Sequence, residues 1–245
     1  MKIIPLSEGT FTVDKSKQFV PFDNGADNLK ERPAGSLLVE VQPFCVITAK
    51  DILLLDAGLG FEINGTLQLH QNLMDAGIKP SEVTKVVMSH LHKDHSGGIG
   101  IEREGLGRRL SFPNATYYMQ QQELAYAFGK GSASYLENEL LSLQNAEQVV
   151  LLNGKGVIDE YIHHEITGAH SMYHQVVWIK EEGETIFFGG DDASQLQQMK
   201  HKFAAKYDYD GKKAMNLRQE WWEQGQQEHW TFLFYHDVKN PFISL

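Results

Sequence analysis

Residues 84–98, Thr-Lys-Val-Val-Met-Ser-His-Leu-His-Lys-Asp-His-Ser-Gly-Gly, constrain the fold of this chain more than any other stretch. The run Val86-Val87-Met88 is apolar without alternation, as a buried strand requires, and it ends directly in four residues able to bind a metal: His90, His92, Asp94 and His95. While the backbone is still extended, side chains two positions apart point the same way, so His90 and His92 can share one ion. Asp94 and His95 follow where the chain must turn before Gly97-Gly98, and they project from another direction, toward a second ion nearby. Imidazole and carboxylate without thiolate suit zinc, iron, manganese or cobalt in a catalytic site rather than a structural one. A loop merely rich in histidine is the alternative. Four ligand types within six positions, directly after a strand, argue against it.

The remaining composition fits one large α/β domain over residues 1–245. Hydrophobic residues make up 42% and charged residues 22%, which allows a sizeable core. The net charge of −10 comes with no Lys/Arg cluster, so the footprint of a nucleic-acid binder is missing and a small-molecule substrate is expected instead. The lone cysteine, Cys45, suits a reducing compartment and lies in an apolar run. No segment approaches the roughly twenty apolar residues that span a bilayer, and the first residues lack the apolar core of a signal peptide, so a cytoplasmic protein without membrane attachment is expected.

In chain order, residues 3–14 predict a strand-turn-strand unit, 15–35 an irregular loop that either walls a site or packs by its aromatics, and 36–41, 44–48 and 52–55 three strands. Asp56, in the turn Asp56-Ala57-Gly58-Leu59-Gly60, serves as a turn former, as a hydrogen-bond partner of a ligand histidine, or as a ligand; we read it as the partner. Helices are expected over 66–76, 120–128, 132–145, 195–206 and 211–228, with His70 structural. A strand over 161–166 leads to Thr167-Gly168-Ala169-His170-Ser171-Met172-Tyr173-His174. A hairpin over 176–179 and 185–188 leads to Gly189-Gly190-Asp191-Asp192, and a last apolar run over 230–235 leads to His236-Asp237.

The His-x-His-x-Asp-His run followed by a glycine pair resembles the signature of the metallo-β-lactamase fold hydrolases. The turns at 56–60, 167–174 and 189–192 and the terminal histidine resemble the family's later motifs in the same order. The resemblance implies a four-layer αβ/βα sandwich of two mixed sheets flanked by helices. It implies metal ligands His90, His92 and His170 at one site and Asp94, His95 and His236 at the other, with Asp191 between them and Asp192 as the fallback. His174 then supports the site or the fold, and Asp237 orients His236. Two divalent ions, zinc first with iron, manganese or cobalt as alternatives, would share a hydroxide that cleaves an ester, lactone or phosphoester, with Asp94 and Asp191 catalytic. The chain is most similar to the branch of quorum-quenching lactonases and organophosphate-type esterases. Where those lactonases place a tyrosine soon after the bridging aspartate, this chain has Asp192, Ala193 and Ser194. The alternatives are a metal-binding or regulatory protein without turnover and, against the acidic charge, a nuclease. An exposed Trp221 or Trp222 would mark the face of a homodimer.

Overall fold

The computed structural model describes residues 1–103, 105, 107–129, 132–144 and 146–245. One six-stranded sheet runs, side by side, Lys2–Pro5, Phe44–Ile47, Ile52–Leu55, Lys85–Val87, Thr116–Gln120 and Val149–Leu152; the other runs Gly156–Ile158, Ile162–Ile166, Gln175–Glu181, Glu184–Phe188, Thr231–Leu233 and Phe242–Ser244. Both are mixed. Lys85–Val87 lies between two parallel neighbours, Ile52–Leu55 and Thr116–Gln120, and Glu184–Phe188 lies parallel to Thr231–Leu233.

Alternation along each strand assigns the layers. Leu53, Leu55 and Val87 of the first sheet share a core with Val177, Ile179, Phe188 and Leu233 of the second, so the sheets pack face to face. Leu54, Val86 and Met119 point the other way, onto Leu69 and Leu73 of helix Gln68–Asp75 and Ala127 of helix Gln121–Gly129. Phe187 and Phe232 point outward from the second sheet onto Trp221 of helix Gly211–Glu228. The result is the expected helix-sheet-sheet-helix sandwich. Trp221, buried, and Trp222, half-buried, pack against Phe187 and Phe232 with ring centroids 5.0 and 5.3 Å apart. Cys45 is core, and burial pushes its thiol up to about 12. No helix among the described residues is long and apolar enough to cross a membrane.

Several elements depart from expectation, among them short strands Phe19–Pro21, Thr66–Leu67, Val149–Leu152, Gly156–Ile158 and Phe242–Ser244. The helix expected over 132–145 contracts to Glu137–Leu140 and a tighter turn, Leu141–Leu143; the carbonyl of Ser134 instead accepts the amide of Lys93, which a helix could not offer sideways. Asn145 lies outside the described residues. The helix over 195–206 stops at Lys200, and a hairpin, Gly100–Arg103 with Gly107–Leu110, appears where charge concealed any strand pattern.

The turn at 56–60 is gripped from both sides. The amides of Gly97 and Gly98 donate to the carbonyls of Gly58 and Ala57, and Ala57 donates to the His95 carbonyl at 2.6 Å. A Cβ on Gly97 would overlap the Leu59 carbonyl, and one on Gly60 would overlap that of Gly97. From the other side, Glu8 accepts the Leu59 amide at 2.5 Å and fills the space that a Cβ on Gly58 would need. Burial raises the Glu8 carboxyl to about 7, outweighing the Leu59 and Gly60 amides that lower it. The folded chain thus keeps a proton that the unfolded chain releases near the usual 4.5. That stabilisation is complete below this value and is lost as pH rises toward about 7. Glu8→Gln is expected to flatten the fall in melting temperature between about pH 5 and 7.5, measured by scanning calorimetry. An unchanged slope would show that Glu8 is not its source.

Candidate metal centre

Each cluster of candidate ligands sits where a core strand ends. His90 and His92 leave the end of Lys85–Val87, Asp94 and His95 lie in the short helix Lys93–Ser96, and His170 sits in the turn after Ile162–Ile166. Asp191 follows Glu184–Phe188, and His236 follows Thr231–Leu233. The fold brings all seven together. His90, His92, His170 and Asp191 form one group whose nearest ligand atoms lie within 4.8 Å of one another, and Asp94, His95 and His236 form a second.

Asp191 lies between the groups. Its Oδ2 is 3.1 Å from His170 Nε2, and its Oδ1 is 3.0 Å from His236 Nε2 and 3.1 Å from His95 Nε2. Asp192 turns away: its carboxylate accepts the Thr167 hydroxyl and the His170 amide and lies 3.0 Å from His174 Nδ1. His174 Nε2 accepts the Asp191 amide at 3.1 Å, so this histidine holds the backbone that carries Asp191.

The hydrogen bonds settle which ring nitrogens carry protons. Asp56, fully buried, accepts the Ser89 amide on Oδ1, and on Oδ2 it accepts both the Ser89 hydroxyl at 2.6 Å and His95 Nδ1 at 2.7 Å. Ser89, having given its proton to Asp56, can only accept from His90 Nδ1, 3.0 Å away. His170 Nδ1 donates to Asp208 at 2.9 Å, and His236 Nδ1 donates to the Glu40 carbonyl at 2.6 Å. Four histidines are therefore fixed with a lone pair on Nε2, aimed at the centre. One carboxylate, Asp56, sets a tautomer in each group, which is the supporting role read for it from sequence. Asp237 does not do the same for His236. Its carboxylate accepts the amides of Leu196, Lys239 and Asn240 and so closes a loop.

These residues fit metal ions. His90 Nε2, His95 Nε2 and Asp191 Oδ1 are buried with no hydrogen-bond partner among the described residues, a cost of about 1–3 kcal/mol each unless a cation meets them. His92 Nδ1 faces His170 Nε2 at 3.2 Å, two ring nitrogens converging on one point. Burial and neighbouring imidazoles hold His90 and His92 well below the usual histidine range, leaving them in the neutral form that ligation needs. For His95, burial acts downward but the Asp191, Asp94 and Asp56 carboxylates outweigh it. Burial likewise works against the Asp191 charge, yet His236, His95 and His170 keep its carboxyl well below the usual carboxylate range.

Several contributors were not legible in the sequence. Glu123, buried on helix Gln121–Gly129, accepts the Leu91 amide at 2.9 Å and the Tyr135 hydroxyl at 3.0 Å, and Tyr135 meets His92 edge-on at 4.7 Å. Asp208 belongs to residues 201–210, expected to be partly helical. They instead fold back so that the amides of Tyr209 and Asp210 donate to the carbonyls of His170 and Ala169. Buried Arg218 secures that fold by donating to the carbonyls of Phe203 and Asp192. The run Asp208-Tyr209-Asp210-Gly211, rich in turn formers, is the signal that could have ended the helix early.

Above the centre opens a cavity of about 790 Å³, lined by His92, Asp94, His170, Asp191 and His236 at its base and by residues 13–19, 35–39 and 194–207 on its walls. The loop 15–35 therefore walls the site through Lys15, Lys17, Phe19 and Gly35.

Comparison with known proteins gives the same frame. AidC, described as a dizinc quorum-quenching lactonase, superposes with a TM-score of 0.74 at 17% identity, over 98% of this chain and 88% of that one. A probable metal-dependent hydrolase from Staphylococcus aureus superposes with a TM-score of 0.81 at 20% identity, over 99% of this chain and 91% of that one. The N-acyl homoserine lactonase AttM of Azorhizobium caulinodans is 48% identical over 52 residues, 21% of this chain, and the AttM of Agrobacterium fabrum is 46% identical over the same length. In both cases the match spans 16% of the curated relative's length. The sequence pattern described as the metallo-beta-lactamase superfamily matches residues 39–198, well over half of the chain and the whole stretch from before Asp56 to beyond Asp192, and the chain belongs to that superfamily.

Proposed function

We propose that this protein is a binuclear metal-dependent hydrolase of a small-molecule ester or lactone. The observation that carries the reading is the Asp191 carboxylate, which turns one oxygen toward each group of histidines. Two divalent ions held there, zinc first with iron, manganese or cobalt as alternatives, would lower the pKa of a shared water and polarise the oxygen of the scissile bond. His90, His92 and His170 would hold one ion, Asp94, His95 and His236 the other, and Asp191 both. The Asp56, Asp208 and Glu40 contacts keep the imidazoles oriented before any ligand arrives, so little reorganisation is left for the reaction. Asp94 lines the cavity base and would take the proton of the attacking water and return it to the departing oxygen. Asp192, Ala193 and Ser194 follow Asp191 where the lactonases place a tyrosine, and Tyr207 is the one tyrosine among the described lining residues. Burial pushes its phenol up to about 12, so it stays a hydrogen-bond donor to substrate at neutral pH. The names of the similar proteins favour lactone and ester bonds over phosphodiesters.

Elemental mass spectrometry on protein purified without chelator, paired with an ester, lactone and phosphodiester panel, tests this. About two metals per chain with turnover of esters or lactones is expected. No bound metal, and no turnover after adding zinc, manganese or iron, would overturn it in favour of a binding protein.

A further inference from the structure

The cavity above the metal centre carries charge opposite to that of the chain. Outside the proposed ligands its lining holds four lysines, Lys15, Lys17, Lys93 and Lys206, against one carboxylate, Asp14, in a protein of net charge −10. Among the described residues the lysine ion pairs involve Lys85 and Lys155; none of these four forms one, although the charge of Lys15 reaches Asp14 and that of Lys93 reaches Glu139. Asp14 is occupied locally, accepting the amide and hydroxyl of Ser16 at 2.8 and 2.6 Å.

The four come from three separate stretches of wall. Lys15 and Lys17 lie beyond strand Gly9–Val13, Lys93 opens the helix after His92, and Lys206 belongs to the fold-back after helix Leu196–Lys200. Lys17 is held in a left-handed turn, φ 60°, closed by its amide on the Asp14 carbonyl at 3.0 Å, and its charge reaches His92 at the cavity base. Lys93 lies 5.9 Å over the Phe19 ring. Between them Val13, Leu37, Val39 and Phe203 give the lining an apolar stretch, beside polar Ser134, Ser194, Gln195, Gln197 and Gln198. Lysines scattered on a convex surface would be dispersed by solvent, whereas these four line one concave space, Lys17 and Lys93 half-buried and Lys15 and Lys206 exposed at its walls, so that their fields add over it.

We infer that the substrate is an ester or lactone bearing an anionic group, carboxylate or phosphate, on an apolar stem at the far end from the bond cleaved, and that Lys15, Lys17, Lys93 and Lys206 receive that group. This rests on the hydrolase reading. The lysines act as specificity residues: they raise the local concentration and fix the register of an anionic substrate, with no part in bond making.

The test uses 4-nitrophenyl esters of one six-carbon acid ending in a carboxylate, a phosphonate or a carboxamide, with the zinc-loaded full chain. An anionic tail is expected to raise kcat/KM over the amide by about tenfold at low salt, an advantage that shrinks several-fold at about 0.5 M NaCl. Combined Lys15→Gln, Lys17→Gln and Lys206→Gln substitutions should cut the anion-to-amide ratio at least about fivefold through KM, whereas Lys155→Gln, outside the cavity, leaves the ratio in place. The better of the two anionic tails identifies the group. Turnover of all three esters with no preference, or a preference that survives the triple substitution, overturns the inference and leaves the hydrolase standing. If no ester is cleaved, the metal content and the lactone arm of the panel decide the hydrolase reading. Calorimetric titration then decides between adipate and its monoamide, which differ only in the far charge: adipate bound several-fold tighter, with the gain lost in the triple variant, supports the anion site, and equal affinities overturn it.

Discussion

Asp191→Asn is expected to take bound metal from about two ions per chain to one or fewer and to lower kcat/KM by about 10³ or more, on the order of 4 kcal/mol of transition-state stabilisation. The size follows from position. Each Asp191 oxygen serves a different histidine group, so a neutral amide weakens both at once and presents a donor nitrogen where a cation would have to sit. Stability should change little without metal. Asp191 is one of several carboxylates that act on His95, His170 and His236 against burial, and in the variant each ring keeps its Nδ1 partner, Asp56, Asp208 or the Glu40 carbonyl. Circular dichroism should therefore be native-like while elemental analysis shows the metal loss. Two metals and full turnover in the variant would remove the bridging role.

Gly97→Ala is expected to cost about 3 kcal/mol or more, lowering the melting temperature by roughly 6–12 °C in a chain of this size. Gly97 has ordinary helical backbone angles, so the penalty owes nothing to φ. Its Cβ would overlap the Leu59 carbonyl, and that carbonyl belongs to a turn already pinned by Glu8 and by the amides of Gly97 and Gly98. Because Ala57 also bonds to the His95 carbonyl, relief by movement would drag a candidate ligand with it. Gly129→Ala serves as the control and should be close to neutral, since nothing among the described residues lies within 4 Å of the methyl it adds. Equal melting temperatures for the two variants would show that the turn yields easily.

The same geometry explains what could be read in advance. His90, His92, Asp94 and His95 were legible because a parallel strand covered on both faces leaves an unbroken apolar run, and the ligands follow it without interruption. His170, Asp191 and His236 carry no such local signature; order along the chain and resemblance to a family picked them out. Ser89 and Asp208 stayed hidden because their meaning lies in partners at 33 and 38 residues' separation, and spacing within a window cannot carry that. Apolar periodicity misled over 132–145, where Leu136 and Leu141 are exposed while Tyr135 is spent on Glu123. It misled again beyond Lys200, where Arg218 captures the Phe203 carbonyl that a longer helix would have used.

The base of the cavity and its walls are supported by different parts of the molecule. The candidate ligands hang from core strand ends and are locked by buried partners such as Asp56, whereas much of the wall belongs to the loops around residues 15–19 and 197–207. Substitutions in those loops can accumulate without touching the contacts that orient the imidazoles. What the cavity admits and how its base is built are therefore separable: changes in the walls can alter fit and charge while the candidate ligands keep their orientation.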